Sequence, residues 1–298
     1  MNLQLLQSAI ATHISGAGQL RAWRFARLVV VWFAMGLFAA AAFALDPQKS
    51  ITQFVHTVWM EKDGAPTDIR VITQTKDGYL WLGTSTGLFS FDGVRFARFR
   101  QRTGEDLPSK RIRMLLPTPD GSLWIVFFSG SVSRLLNGHV TSYSERENLP
   151  ATFALVECED GSLIAGTAKG LARFKGGVWT DITREWNFPG KQARMVYFDK
   201  SRTLWVLTED RIVYLPAGQK QFVDPAEATG LSSNFAEAPD GTIWISETGQ
   251  SAHTVRRFHE QGPMTTINVG ANCVLFDRDG GLWVRRSPPA YRRGPGSD

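Results

Sequence analysis

The stretch from Asp77 to Phe99 reads DGYLWLGTSTGLFSFDGVRFARF, and parts of it recur along the chain. Its core is the motif Asp-Gly-x-Leu-Trp, which returns five more times in full or in variant form. The last residues of the six copies are Trp81, Trp124, Ile164, Trp205, Trp244 and Trp283, at steps of 43, 40, 41, 39 and 39 residues. A nearly constant period of this length is typical of a protein built from stacked structural repeats.

One period predicts a four-stranded antiparallel sheet. Four short runs rich in β-branched and aromatic residues are separated by turn residues, namely 71–75, 79–84, 88–91 and 95–99. Asp77-Gly78 and Asp92-Gly93 predict two-residue hairpin turns, because glycine tolerates a positive φ angle. The second run is apolar on both faces, so the sheet has to stack between neighbours. Radial stacking of such units is the β-propeller, with the tryptophans packed between blades.

The repeat region is incomplete at both of its ends. Residues 51–60 form an extended-looking run without a motif of its own, and we expect them to supply a closing strand. The sixth unit stops after Trp283-Val284, and the composition of 285–298 predicts a disordered basic tail. We therefore expect an all-β chain with about five complete four-stranded blades plus a partial sixth, over 45–284. We also hypothesise that the reading frame ends early, which would leave exposed blade edges, low solubility and low cooperativity.

The net charge of +5 does not indicate a protein that binds nucleic acid. It results from 33 basic and 28 acidic residues, and seven of the arginines lie before residue 45 or after residue 284. The repeat region between them is close to neutral. A polyanion such as nucleic acid is therefore not an expected partner.

The N-terminal segment 1–44 predicts export from the cytoplasm as a signal peptide. Arg21, Arg24 and Arg27 precede a run of 17 uncharged residues, which is short for a membrane-spanning helix of roughly 20. The run closes with Ala42-Phe43-Ala44, a small-x-small site whose cleavage would make Leu45 the mature N-terminus. The alternative is an uncleaved signal anchor, which would be the only part of the chain in the membrane. Either way we expect the repeats in the periplasm, anchored to the inner membrane if the segment is retained.

Residue types and spacing predict no catalytic site, no metal site and no cofactor. The motif acids lie one period apart, so we expect them to cap equivalent turns instead of pairing as acid and base. These acids are Asp77, Asp120, Asp160, Asp240 and Asp279. The histidines and cysteines lack the spacing of metal ligands, and we expect the cysteines to lie unbridged in strands. They are His13, His56, His139, His253, His259, Cys158 and Cys273.

Two roles are open for the clustered aromatic residues Trp179, Trp186 and Phe188. On a face loop they could stack on sugar rings, whereas in the core they would pack between blades, and packing is the role we expect. The sequence identifies no ligand-binding residue.

Residues 71–99 resemble the two-component regulator propeller repeat of bacterial membrane sensors. The resemblance combines the Asp-Gly-Tyr-Leu-Trp turn, the Gly83-Thr84 and Gly87-Leu88 pairs and the segment that starts at Phe91, and weaker copies cover 51–284. In that family, seven-bladed propellers outside the membrane precede a β-sandwich, a transmembrane helix and a cytoplasmic histidine kinase or diguanylate cyclase. The resemblance therefore implies an incomplete seven-bladed ring that senses a ligand, in a chain without the output domain.

The resulting hypothesis is a binding module without catalysis, the ligand-sensing propeller of a signal-transduction protein. We expect a small molecule or an oligosaccharide at a face lined by inter-blade loops, and a homodimer through the propeller is left open. The alternatives are a secreted hydrolase or lyase, because the motif also resembles the Asp-box turn of sialidase-type propellers, and a non-functional fragment. A sialidase would need an arginine cluster with a tyrosine and an acid at the ring centre, which the sequence does not locate.

Overall fold

The computed structural model of the protein describes residues 57–100, 107–225, 231–248, 253–258, 266–267, 271–277 and 280–286. In these ranges the chain forms six antiparallel β-sheets, one for each copy of the motif. Two short 3₁₀ helices, Glu61–Asp63 and Glu145–Glu147, accompany them. The predicted all-β fold of repeated blades is confirmed.

Four of the sheets contain four strands in sequence order. The first consists of β1 (Ile69–Gln74), β2 (Leu80–Thr84), β3 (Leu88–Phe91) and β4 (Phe96–Arg98). The second consists of β5 (Ile112–Pro117), β6 (Leu123–Phe127), β7 (Val132–Leu136) and β8 (His139–Tyr143). The third consists of β9 (Thr152–Glu157), β10 (Leu163–Thr167), β11 (Gly170–Lys175) and β12 (Val178–Asp181). The fifth consists of β16 (Leu231–Glu237), β17 (Ile243–Thr248), β18 (His253–Phe258) and β19 (Thr266–Ile267).

The fourth and sixth sheets have fewer strands in the described ranges. The fourth consists of β13 (Met195–Phe198), β14 (Leu204–Leu207) and β15 (Ile212–Leu215). Its outer strand is reduced to one bridge, in which the N–H groups of Tyr214 and Val223 donate to each other's carbonyl oxygens at 3.1 and 2.8 Å. The sixth consists of β20 (Ala271–Phe276) and β21 (Leu282–Arg286), so β21 runs past the boundary expected at residue 284.

The Asp-Gly turns differ in one respect from the predicted two-residue hairpin. At the first turn the N–H of Thr75 donates to Tyr79 O at 3.0 Å and that of Gly78 donates to Thr75 O at 2.9 Å, so the loop holds three residues. Gly78 has a φ of 88°, whereas Asp77 is not in the left-handed region. This is the three-residue loop in which a turn ends on a left-handed glycine, and it needs one positive φ where the two-residue turn needs two.

The expected closing strand at residues 51–60 is not a strand in its described part. Met60 is extended, with φ −113° and ψ 173°, but 57–60 have no ladder partner among the described residues. An extended segment becomes a strand only when a neighbour pairs with its N–H and C=O groups. Residues 51–56 lie outside the described ranges.

The hydrophobic core lies between neighbouring sheets. Trp124 of β6 is 2% exposed, and its ring centroid lies 4.9 Å from Phe174 and 6.2 Å from Trp179 in the next sheet. Trp205 packs on Phe258 of the following sheet in the same way, at 5.2 Å. The prediction that the motif tryptophans fill the space between blades is thus confirmed at these positions.

The first strands of several neighbouring sheets face each other. β1 contacts β5, β5 contacts β9, β9 contacts β13, and β16 contacts β20. These first strands are the innermost, and the second strand β10 also comes close to the fourth sheet. A Cβ on Gly166 would stand 2.6 Å from the carbonyl oxygen of Ala193, which explains why the third copy of the motif is followed by a glycine there.

Several predictions fall outside the described ranges. They concern the signal segment 1–44, the tail beyond residue 286, and the residues His13, His56, His259 and Asp279. Among the described residues, no helix has both the length and the hydropathy needed to cross a membrane.

Candidate functional site

The four motif acids that lie in the described ranges, Asp77, Asp120, Asp160 and Asp240, cap their Asp-Gly turns, as predicted. Asp120 Oδ1 accepts hydrogen bonds from Thr118 Oγ1 at 2.6 Å and from Ser122 N at 2.9 Å. Its other oxygen, Oδ2, accepts one from Arg134 at 2.7 Å. Burial alone would raise the pKa of Asp120, but the hydrogen bonds from Thr118, Ser122 and Arg134 lower it to about 2. Such an acid is held ionised by its own turn and is not poised to transfer a proton at neutral pH.

The aromatic residues considered for sugar stacking are packed inside. Trp179 is 2% and Phe188 7% exposed, and Trp186 packs against the core between the third and fourth sheets. Trp179 and Phe188 are thus buried, and Trp186 is partly buried against this core.

The cysteines and histidines give no sign of a metal centre in the described part of the chain. Cys273 lies in β20, but Cys158 lies one residue after β9, where its N–H closes the third Asp-Gly turn on Ser162 O at 2.8 Å. The prediction that both cysteines lie in strands was therefore wrong for Cys158. The reason is that β9 pairs only as far as Glu157, beyond which the turn begins. His139 begins the outermost strand β8 and is exposed, so it is remote from the innermost strands.

A second set of residues stands at the opposite end of the innermost strands from the Asp-Gly turns. In β1 the ladder skips one residue between Ile69 and Val71, which is Arg70. The same irregularity recurs in five sheets, and the skipped residues are Arg70, Arg113, Phe153, Ser233 and Asn272. In the fourth sheet the equivalent residue is Arg194, directly before β13. A β-bulge re-aims one side chain at the rim of a sheet and is often found beside functional sites.

Three arginines converge on the ring of Phe128, in the turn after β6. The guanidinium carbon of Arg113 lies 4.5 Å from the ring centroid, that of Arg111 5.1 Å and that of Arg70 5.5 Å. Arg113 also lies 5.4 Å from the ring of Phe153. A cation within about 6 Å of an aromatic face is attracted to it, so these rings fix the arginines in place.

The cluster has more positive than negative charge among the described residues. Asp68 pairs with Arg70 at 3.0 Å, and hydrogen bonds from Ser85 and then from Arg70 lower the pKa of Asp68. No ion pair is found for Arg111 or Arg113 within the described ranges, and the buried Nε of Arg113 has no hydrogen-bond partner there. Burial lowers the pKa of Arg113, yet a guanidinium stays protonated at neutral pH.

A cavity of about 610 Å³ opens beside Arg113. Its polar wall is formed by Arg113, Gln192 and Arg194, and Phe153 supplies an aromatic wall. The apolar residues are Met114, Ala154, Met195 and Leu207. A cleft of this size that combines apolar walls with a few convergent polar groups is the usual form of a small-molecule site. We call these eight residues, together with Arg111 and Phe128, the arginine cleft.

The sequence predicted no binding residue, although it carried a signal for this cleft. Arg70, Arg113 and Arg194 each stand 11 residues before the last residue of their motif copy, as does Phe153. Alignment of the copies on their final residue would have shown arginine at this offset in three of six. The residues that define the motif lie in its turn, at the other end of the strand from this arginine.

The tyrosine and acid that a sialidase would need do not join the arginine cleft among the described residues. Tyr197 donates its hydroxyl to Glu237 at 3.2 Å, and Glu237 also accepts from the N–H of Lys200 in the adjoining turn. This pair therefore lies at the Asp-Gly end of β13, opposite Arg194. Burial, and then the Glu237 charge, raise the pKa of Tyr197, which opposes formation of a phenolate nucleophile.

Residues 63–86 match the sequence profile of the family described as "Two component regulator propeller". No curated protein matches the chain significantly.

Among solved structures, the extracellular domain of BT3049 from B. thetaiotaomicron, described as a hybrid two component system, is 16% identical with a TM-score of 0.62. The match covers 77% of this chain and 34% of that one. The extracellular domain of BT4673 from B. thetaiotaomicron, described as a one component system, is 19% identical with a TM-score of 0.54, over 73% of this chain and 33% of that one. This chain thus spans about a third of the length of these two sensor domains.

Virginiamycin B lyase from Staphylococcus aureus is 14% identical with a TM-score of 0.56, and the match covers 73% of this chain and 77% of that one. At these identities the likeness concerns the fold, which the sensors and the lyase share. The family match, in contrast, falls on the first Asp-Gly motif. The chain therefore carries a two component regulator propeller repeat, built into a β-propeller.

Proposed function

We propose that the chain is the ligand-sensing propeller of a bacterial signal-transduction protein, acting outside the cytoplasm and without chemical change to its ligand. The observation that carries the proposal is the arginine cleft, which joins a cavity of ligand size to a set of arginines without described acidic partners. The family match and the fold shared with two extracellular sensor domains support the same function. The motif acids act in turns and leave the cleft without an ionised acid and base pair in the described residues.

The test is ligand binding measured together with turnover. The full chain would be screened by thermal shift against neutral and acidic oligosaccharides, and hits would be measured by calorimetry. We expect at least one ligand that raises the unfolding temperature and is recovered unchanged by mass spectrometry after long incubation. Ligand-dependent stabilisation is the expected response when a molecule binds the folded state only.

A lyase is the second candidate, because the S. aureus enzyme shares the fold over most of its length. A catalytically inactive form of that enzyme carries a histidine-to-alanine change. In this chain His139 is the histidine whose side chain is described, and it lies on an outer strand away from the cleft. The lyase candidate would gain support if the screen produced a cleaved or ring-opened product whose formation depends on a residue of the cleft.

We also propose that segment 1–44 directs the propeller into the periplasm, either as a cleaved signal peptide or as an anchor. The sensor domains that share the fold are extracellular, which supports this location. N-terminal sequencing of protein from the periplasmic and membrane fractions tests it. We expect Leu45 as the first residue, whereas an intact chain recovered from the cytosol would contradict export.

A further inference from the structure

We propose that the arginine cleft binds the oxyanion group of a small organic ligand, a carboxylate, sulfate or phosphate, through Arg113 and Arg194. The inference rests on the proposed function and adds the chemical class of the ligand. The remainder of that ligand lies against Phe153 and the apolar residues of the cavity.

The arginines around Phe128 make this part of the molecule electropositive. Arg70, Arg111 and Arg113 hold their guanidinium carbons within 5.5 Å of one ring centroid, and Asp68 is the carboxylate that pairs with this group in the described chain. Arg113 belongs to the cavity wall and Arg70 and Arg111 lie beside it, so their like charges repel one another and raise the positive potential at the cavity. A bound anion relieves that repulsion, so the arrangement favours an anionic ligand over a neutral one.

The second argument comes from a comparison within the molecule. At the Asp-Gly end of the strands, arginines are paired, with Arg134 on Asp120 at 2.7 Å and Arg173 on Asp160 at 2.8 Å. At the opposite end, Arg113 and Arg194 have no described carboxylate partner. Arg134 and Arg173 are thus neutralised by acids of their own turns. For Arg113 and Arg194, in contrast, no side-chain ion pair is found within the described ranges, and the buried Nε of Arg113 has no hydrogen-bond partner there.

The third argument concerns hydrogen bonding. A guanidinium has five N–H donors in a planar fork that matches the two oxygens of a carboxylate or phosphate. The Nε of Arg113 is buried without a hydrogen-bond partner among the described residues. Phe128 and Phe153 flank this guanidinium and hold it in place, but a ring face offers no oxygen acceptor. A bound ligand would supply the hydrogen-bond acceptors that the Arg113 guanidinium lacks among the described residues.

The fourth argument defines the other part of the ligand. Phe153 occupies, in the third sheet, the bulge position that holds arginine in the second and fourth sheets. The aromatic ring of Phe153 therefore stands between Arg113 and Arg194 in the order of the blades, and Met114, Ala154 and Met195 line the same cavity. An acidic sugar fits this division, since its carboxylate can meet an arginine while its C–H face stacks on a ring.

The experiment is calorimetry on the full chain at neutral pH with four probes. Digalacturonate carries two carboxylates, its dimethyl ester carries none, and inorganic phosphate and sulfate carry no sugar. We expect digalacturonate to bind and the ester to bind at least about tenfold more weakly, because loss of a charge-assisted hydrogen bond weakens binding by about that factor or more. Binding of the free ions as well would assign the affinity to the oxyanion alone, and failure of the free ions to bind would assign part of it to the sugar face.

Variants locate the site. Arg113→Gln and Arg194→Gln should each weaken digalacturonate binding by about 10- to 100-fold, and Arg113→Lys should restore part of the loss, because lysine keeps the charge without the planar fork. Arg134→Gln is the matched control, since it removes one positive charge at the opposite end of the strands and should leave affinity unchanged. Circular dichroism of each variant distinguishes lost binding from lost folding. If Arg113→Gln does not fold, the test rests on binding by Arg194→Gln, because Arg194 is exposed and its substitution should not disturb the fold.

Two results would overturn the inference. If the ester or other neutral sugars bind as well as digalacturonate, or if Arg113→Gln and Arg194→Gln bind it normally, the cleft is not an anion site although the protein still binds a ligand. If neither acidic nor neutral ligands bind, the proposed function fails together with the inference. Weaker binding of digalacturonate at high ionic strength is a further expected sign of an arginine and anion contact.

Discussion

Asp120 and Arg134 hold the second Asp-Gly turn through a charged contact of 2.7 Å, with Oδ1 of the same aspartate bonded to Thr118 and Ser122. The role of this acid follows from its position two residues before Ser122, where a short acidic side chain reaches the backbone of its own turn. Asp160 repeats the arrangement with Arg173 and Lys175. The motif acid thus stabilises its own turn through hydrogen bonds and, at Asp120 and Asp160, through an ion pair as well.

The pH dependence of stability tests this role. The pKa of Asp120 is lowered to about 2 in the folded protein, so its contribution is present above the unfolded pKa of about 4 and is lost as pH falls toward 2. Asp120→Asn should lower the free energy of unfolding by about 0.5–1 kcal/mol at pH 7, because the ion pair is half exposed. The difference from wild type should shrink as denaturant unfolding is repeated from pH 5 down to pH 2.

Asp77→Asn is the matched control for that series. Asp77 caps the equivalent turn through Thr75 Oγ1 at 2.6 Å, but no ion pair to it is found in the described chain. Asp77→Asn should therefore lower the free energy of unfolding by less than Asp120→Asn does. Equal losses for the two variants would show that the ion pair with Arg134 adds nothing to stability, and an Asp120→Asn difference that grows toward low pH would contradict the lowered pKa of Asp120.

At the scale of elements, the residues before β1 pack on the first sheet in the way that the end of an outer strand packs on the sheet after it. The ring of Trp59 lies 5.0 Å from Phe91 and 6.2 Å from Phe96 in the first sheet. Tyr143, at the end of β8, meets Phe174 and Trp179 of the third sheet in the same manner, at 5.4 and 6.2 Å. Trp59 and Tyr143 each stand shortly before a 3₁₀ helix. Trp59 therefore occupies, at the first sheet, the position that the end of the outer strand β8 occupies at the third.

Trp59→Ala should therefore destabilise the protein although Trp59 is 41% exposed. We expect a loss of about 1–2 kcal/mol, below the roughly 3–5 kcal/mol of a fully buried aromatic residue such as Trp124. Tyr79→Ala is the control, because Tyr79 is 42% exposed and makes no ring contact in the described residues. Denaturant unfolding of both variants tests the contact, and equal small effects would mean that Trp59 does not cover the first sheet.

At the scale of the whole molecule, the sequence predicted the architecture because the fold depends on residues that recur. A turn dipeptide and a large aromatic residue at a period near 40 are sufficient to indicate stacked blades. The expected strand at 51–60 was not found in its described part, since pairing depends on a neighbour and not on composition. The repeated arginine at the bulge position is visible in the sequence, but the cleft itself forms only where Arg113, Phe153 and Arg194 come together from three blades, and a single sequence does not show that meeting point.

The central proposal is that ligand binds at the bulged ends of the innermost strands and not at the Asp-Gly turns. The most direct measurement is hydrogen–deuterium exchange of the full chain with and without saturating digalacturonate. We expect slower exchange in 111–114, 152–155 and 192–195, with no change in the turns around Gly121 and Gly161. Protection confined to those turns, or no protection at the arginine cleft, would contradict it.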